Sequence, residues 1–381
     1  MTWLSEGSRP APTGISKILH INWSLALLLT AVACAGFLML YSVADGDISV
    51  WARPQMIRFG IGFVAMFVIG MIHIHFWRGV APFAYIVSLL LLVAVEFVGV
   101  TGMGAQRWID LGFMRLQPSE VMKVALVMVL ALYYDWLDPK KVSHPVWVAL
   151  PLMLTILPVL LVLKQPDLGT SILLGGGAAV VMFLAGVSLW YFITAGIAGV
   201  GTIAAVIYTR GTEYQILKDY QYRRVETFLD PSLDPLGAGY HITQSKIALG
   251  SGGLNGRGYM EGTQSRLNFL PEKHTDFIFT TLAEEFGFIG SIVLLILYAL
   301  IVVFCMASML TNRNRFGALL TGGITATFFF FFAVNMAMVM GLAPVVGVPL
   351  PLVSYGGSAM LVLMGAFGLV QSAHVHRPRS S

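Results

Sequence analysis

Apolar runs of about twenty residues, separated by short polar breaks, set the pattern of this chain. A hydrocarbon core about 30 Å thick takes roughly 20 apolar residues as one helix. Read that way, the apolar stretches predict ten spans, near 21–42, 57–76, 81–101, 118–136, 145–163, 168–186, 189–209, 276–309, 316–341 and 352–373. Two stretches have to be divided. Residues 168–209 hold no formal charge, and Gly186-Val187-Ser188 supplies the turn within them. Residues 316–376 are likewise uncharged, broken by Gly341-Leu342-Ala343-Pro344 and by Pro349 and Pro351. Non-helical backbone at that depth must be buried in protein or line a cavity, so this connector is expected to dip into the membrane. One long polar segment interrupts the pattern between spans seven and eight.

The expected fold class is therefore all-α and polytopic. A tail (1–20) leads into spans one to seven (21–209), then the large loop (210–275), spans eight to ten (276–373) and a second tail (374–381). Composition agrees: 57% of residues are hydrophobic and 11% charged, with a mean hydropathy of +0.80, against about 25% charged in soluble domains. The first apolar run exceeds a signal-peptide core and lacks a small-residue cleavage site, so it reads as a retained span. Cys34 and Cys305 both fall in apolar runs, and no structural disulfide is expected.

Charge matters here through its distribution. With the N-terminus inside, Arg9, Lys17, Arg78, Lys140, Lys141, Arg313, Arg315, Arg377 and Arg379 lie on the cytoplasmic side. The opposite short loops carry Arg53, Arg58, Arg107, Arg115 and Lys164. Nine against five places both termini in the cytoplasm. The 66-residue loop then lies outside, its eight basic and seven acidic residues nearly cancelling. Its scattered Tyr, Phe, Leu and Ile predict an ordered loop packed on the membrane face.

In a chain so poor in charge, ionisable groups near the spans are candidates for chemistry. Asp276 closes the polar segment and opens span eight. The next turns of its helix place Thr280 and Glu284 on the same face, at i+4 and i+8, with Glu285 adjoining them, which implies a polar cavity opening outward. The plainer reading is that Asp276 only caps the helix N-terminus, a role compatible with catalysis. Glu120 and Lys123 are spaced i, i+3 and close enough to pair. They form either a structural ion pair or an anchor for an anionic group. Asp167, within Lys164-Gln165-Pro166-Asp167-Leu168-Gly169-Thr170, either caps span six or joins Asp276, Glu120 and Arg107 in an outward cavity. In the loop, Arg223 and Arg224 suit phosphate oxygens, since guanidinium binds them in a fork; a lipid headgroup or Glu226 would serve them equally. Lys246 precedes the glycine-rich run 250–258. That run lacks the Gly-Lys-Ser/Thr ending and preceding strand of a phosphate loop, and is open to reading as plain flexible linker. No His or Cys spacing suggests a metal, and no basic–aromatic pattern suggests nucleic acid.

Together the segments 117–123, 165–170, 222–224, 239–258, 269–279 and Pro349-Leu350-Pro351-Leu352-Val353-Ser354-Tyr355-Gly356-Gly357-Ser358 resemble the shape, elongation, division and sporulation (SEDS) family, across about residues 20–373. The glycine-rich stretch, followed by Gln264-Ser265-Arg266, is closer to the elongation branch than to the division branch. The resemblance implies a peptidoglycan glycosyltransferase at the outer face of the bacterial inner membrane, polymerising the lipid-linked disaccharide precursor lipid II during elongation and maintenance of rod shape. It implies Asp276 as the catalytic aspartate and Glu120, Lys123 and Asp167 as polar residues of a central cavity. It also implies a class B penicillin-binding protein as transpeptidase partner, alongside other membrane proteins of the elongation machinery. In the expected reaction Asp276 removes a proton from the acceptor hydroxyl. Lys123, Arg223, Arg224 or a divalent cation offsets charge on the departing pyrophosphate; no other cofactor is implied. Two rivals stand beside this: a flippase for the same precursor, since transporters also carry intramembrane carboxylates and broken helices, and a non-catalytic scaffold.

Overall fold

A computed structural model describes residues 8–9, 14, 16–102, 105–112, 114–209, 222, 226, 230, 237–266 and 273–380. Its long helices are α1 (Trp23–Val43), α2 (Ala52–Met71), α3 (Ile74–Val98), α4 (Pro118–Trp136), α5 (Pro145–Lys164), α6 (Leu168–Ala185), α7 (Leu189–Tyr208), α9 (Ile278–Leu310), α10 (Arg315–Val339) and α11 (Ser358–Val375). A shorter helix, α8 (Ala238–Ser251), lies in the large loop. Nine of the ten long helices are long and apolar enough to cross a membrane. The tenth, α4, is the one that carries Glu120, Lys123 and Asp135 within 19 residues.

Local chemistry sets where these helices begin. Asn22, Asp167 and Asn314 accept the backbone N–H groups of Leu25, Thr170 and Gly317 at the starts of α1, α6 and α10. Pro118 opens α4, where its missing N–H costs nothing. Span two begins at residue 52 where 57 was expected, and span three at 74 where 81 was expected. The charge that delayed the second expectation has a partner, Arg78 pairing with Asp135 of α4 at 2.8 Å; within span two the Arg58 guanidinium lies 4.8 Å over the Tyr355 ring. Span ten starts later than expected, at Ser358, because residues 351–354 form a turn.

Close packing depends on small residues, as it does where lipid removes the hydrophobic drive between helices. Gly62 and Gly70 of α2 lie against Met364 and Gln371 of α11, and Gly368 lies against Ile69. Gly176 and Gly177 of α6 sit against Phe330 and Thr327 of α10. The two ends of the chain meet: β1 (Ser8–Arg9) pairs antiparallel with β5 (Arg379–Ser380). Both termini therefore share one face. The opposite face carries the described part of the large loop, the α10–α11 connector (340–357) and a small antiparallel sheet, β2 (Val100–Gly102), β3 (Ala105–Asp110) and β4 (Arg115–Leu116).

The glycine-rich run is docked, not free. Helix α9 is broken at Gly287, whose φ of 65° and ψ of −158° lie outside the helical region. A break at that depth orphans backbone groups on both sides. The run supplies their partners. Arg257 and Gly258 N–H donate to the carbonyls of Glu284 and Glu285 (2.9 and 3.1 Å), while Phe288 and Ile289 N–H donate to the carbonyls of Gly253 and Leu254 (2.9 and 3.1 Å). Gly256 (φ 80°) comes so close to the Glu285 carbonyl that a Cβ there would overlap it. The loop thus seals the break.

A candidate active site at the loop face

The site begins with the first turns of α4. Glu120 and Lys123 fall there because the helix starts at Pro118, and both are buried. Lys123 Nζ donates to Glu120 Oε1 at 2.8 Å and lies 3.8 Å from the centroid of the Phe331 ring on α10. Two charges are removed from water together, which holds only when they pair closely. The carboxylate of Asp167 adds to the attraction on the ammonium.

Asp167 does more than its capping bond to Thr170 N–H. Gln117 Nε2 donates to its Oδ2 at 3.2 Å, and Arg107 Nη1 approaches the same oxygen at 3.8 Å. Arg107 also donates to the carbonyls of Gln165 (3.1 Å) and Pro166. Strand β3 is thereby fastened to the turn between α5 and α6.

The α10–α11 connector runs between these groups and Asp276. Val346 and Val348 pack with Leu173 of α6 and Phe331 of α10, and Val346 O lies beside Gly169. The next residue along, Gly347, is exposed, and a Cβ there would lie 3.7 Å from Asp276 Oδ2. Asp276 itself is half-buried, in a turn one residue before the N-cap Phe277 of α9. Three consecutive carbonyls of that turn are held: His274 O by Tyr355 N–H (2.9 Å), Thr275 O by Ser354 Oγ (2.6 Å) and Asp276 O by Asn335 Nδ2 (2.9 Å). The His274 ring stacks on Trp51 with centroids 4.1 Å apart. Burial lowers the neighbouring Lys273 below the usual lysine range, an effect Asp45 opposes.

Below the connector a cleft of about 660 Å³, counted out to its open mouth, extends from Glu120 and Lys123 along α4, α10 and α11. Gln55, Ser354 and Gly356 line its polar end, and Val127, Ile324, Leu363 and Ala366 its apolar end. Ligand sites combine these features: an apolar body with few polar groups at one end.

Of the residues singled out in the sequence, Glu120, Lys123 and Asp167 come together, and Asp276 lies beside Gly347 of the connector, whose neighbours Val346 and Val348 pack on Gly169. Glu284 goes elsewhere. Its carboxylate accepts from Thr263 N–H and Oγ1 (both 2.9 Å) and from Gln264 N–H, near Arg257. The expected stripe Asp276–Thr280–Glu284 does not form, because the helix begins only at Ile278 and the Thr280 hydroxyl turns back to Phe277 O. Lys246 is exposed on α8, its stem lying across Gly341 of the connector. Arg223 and Arg224 lie outside the described residues. Two residues that the sequence reading passed over belong to the site. Gln55 holds Ser354 O at 2.9 Å and Gly356 N–H at 3.3 Å, and Asn335 holds Asp276 O. Asn335 did carry a signal: it is the lone amide in the phenylalanine-rich span nine. Among the described residues no three His, Cys, Asp or Glu converge as a metal site.

Nine helices long and apolar enough to cross a membrane among the described residues, a buried lysine–glutamate pair above an apolar cleft and an aspartate clamped at the same face define a polytopic membrane protein with its polar chemistry gathered at one end of the bundle. The chain belongs to the SEDS family: the family model for FtsW, RodA and SpoVE, described as cell cycle protein, matches residues 17–379. It is 44% identical to the peptidoglycan glycosyltransferase MrdB of Escherichia coli K12, over 94% of each chain. It is 36% identical to the probable peptidoglycan glycosyltransferase FtsW of Trichlorobacter lovleyi, over 93% of each. Among solved structures it is similar to a chain of a peptidoglycan synthase complex in which polymerization and crosslinking are coordinated (TM-score 0.78, 31% identity, 93% of this chain and 97% of that one). It is also similar to the rod shape determining protein RodA of Thermus thermophilus (TM-score 0.68, 30% identity, 94% and 97%).

Proposed function

We propose that this protein is a peptidoglycan glycosyltransferase of the elongation type, polymerising lipid II at the outer face of the bacterial inner membrane. The observation that carries the reading is the clamped Asp276 turn, set across one connector from the buried Lys123–Glu120 pair and its apolar cleft. A sugar hydroxyl is a poor nucleophile at neutral pH, so a carboxylate within hydrogen-bond reach takes its proton as it attacks. Asp276 is that base. The acceptor 4-hydroxyl oxygen bonds to the anomeric carbon of the donor, and the bond from that carbon to the lipid pyrophosphate breaks. Direct attack inverts the anomeric centre, from α in the donor to β in the polymer.

The leaving pyrophosphate gains charge as the bond breaks, and Lys123 is placed to offset it, steered by Glu120. Arg223 and Arg224 are further candidates from the loop. A divalent cation would bind mainly through the substrate's own pyrophosphate oxygens, as magnesium does where few carboxylates converge. The cleft beneath Lys123 suits a polyprenyl chain.

The relatives' names support the activity, and the similarity to a synthase complex supports a crosslinking partner, a class B penicillin-binding protein. The flippase reading is weaker on physical grounds. Transporter helix breaks face a substrate site at the midplane, whereas the break in α9 is sealed by its own loop. The test is purified protein, with its transpeptidase partner, given labelled lipid II. A ladder of glycan chains cleaved by a muramidase supports the reading. Lipid II carried across vesicle membranes without polymer would overturn it in favour of the flippase.

A further inference from the structure

The turn carrying Asp276 is fixed by a residue that touches no candidate substrate group. Asn335 of α10 is fully buried. Its single amide nitrogen donates to two carbonyls from different segments, Asp276 O at 2.9 Å and Val348 O at 2.7 Å. Both amide protons are thereby used, which fixes the orientation of the side chain. Its Oδ1 is buried without a hydrogen-bond partner. An acceptor left unmade in the interior is costly and calls for an explanation. Here the residue sits where the base-bearing turn meets the connector.

We propose that Asn335 is a positioning residue: it holds the Asp276 turn in register with the connector, so that the carboxylate points at the acceptor hydroxyl. This rests on the reading of Asp276 as the base. Proton transfer needs heavy atoms about 2.6–3.2 Å apart, and a displacement of about 1 Å is enough to cost on the order of 10²-fold. Ser354 acts in the same clamp. Its hydroxyl donates to Thr275 O (2.6 Å) and accepts from Leu350 N–H (2.8 Å). One turn is therefore held from α10 and from the connector at once. No single-residue reading of span nine would assign this role, because the bonds reach backbone atoms far away in sequence.

The experiment measures lipid II polymerisation by the full-length protein with its transpeptidase partner, in four forms: wild type, Asn335→Ala, Asp276→Ala and the double variant. Asn335→Ala is expected to lower kcat about 10–100-fold while KM for lipid II stays near wild type and the melting temperature falls only by a few degrees, the cost of two carbonyls left unpaired. In the Asp276→Ala background the same change is expected to cost little more, since there is no base left to position. If Asn335→Ala lowers the rate equally in both backgrounds, the effect does not run through Asp276 and the proposal fails. If Asp276→Ala is inactive yet Asn335→Ala polymerises like wild type, the proposal fails while the base assignment stands. If Asp276→Ala keeps the wild-type rate, it is the base assignment that fails. Should Asn335→Ala not fold, Ser354→Ala replaces it in the same four-way comparison, with the same kcat-only loss expected and an unchanged kcat overturning the clamp.

Discussion

Replacing Lys123 by methionine removes one half of a buried ion pair and tests whether the charges of α4 serve stability or chemistry. The side chains of Lys123 and Glu120 are 3% and 9% exposed and meet at 2.8 Å. Without the ammonium, Glu120 becomes an uncompensated buried carboxylate, a loss of about 3–4 kcal/mol once its own neutralisation is allowed for. The ceiling is the cost of neutralising an ordinary glutamate at pH 7, about 4 kcal/mol. For a chain of 381 residues that corresponds to a melting temperature about 4–5 °C lower. Removing both charges, as Glu120→Leu with Lys123→Met, leaves no orphan and is expected to restore stability, since such pairs are often replaced by apolar residues without loss. Activity should stay absent in both variants, because the double variant has no cation to meet the leaving pyrophosphate. The assay pairs unfolding in detergent, followed by the fluorescence of the eight tryptophans, with lipid II polymerisation. A single variant as stable as wild type would refute the claim that Glu120 depends on Lys123. A double variant that polymerises at the wild-type rate would refute the functional role of the pair.

Two further predictions address the rest of the molecule. Gly256→Ala should loosen the seal over the break in α9, since the residue has φ 80° and a Cβ would overlap the Glu285 carbonyl; hydrogen exchange at Phe288 and Ile289 should rise, and unchanged protection would count against the seal. His376, beyond the end of α11, is pushed by burial from the usual histidine range down to about 4, with His73, Lys17 and His75 acting in the same sense. A depressed histidine stabilises the fold fully above its ordinary pKa of about 6.5, and that contribution is lost as pH falls towards 4. His376→Asn should therefore show a shallower fall in melting temperature between pH 7 and 4.5 than wild type, and identical slopes would contradict the shift.

The sequence made the spans legible because lipid demands uninterrupted apolar length, and almost every break in that pattern is a real turn. Its errors come from charges with partners. Arg78 delayed the expected start of span three, yet it pairs with Asp135 of α4. The Glu120–Lys123 contact was readable because i, i+3 geometry is local, and the cap at Asp167 because capping is local too. The assignment of Glu284 to the Asp276 face failed for the opposite reason: that carboxylate is held by Thr263 and Gln264 of the loop. The glycine-rich seal left no side-chain signature, since it is made by backbone atoms at long range. Asn335 showed its polarity, but not the turn it would hold.

The measurement that bears most directly on the account is the initial rate of lipid II polymerisation by the purified protein and its transpeptidase partner, with Asp276→Ala and Asp276→Asn beside wild type. A base at Asp276 predicts a fall of about 10²–10⁴-fold in both variants, with lipid II binding and melting temperature retained. Polymerisation by Asp276→Asn at the wild-type rate would place the proton acceptor elsewhere and contradict the mechanism.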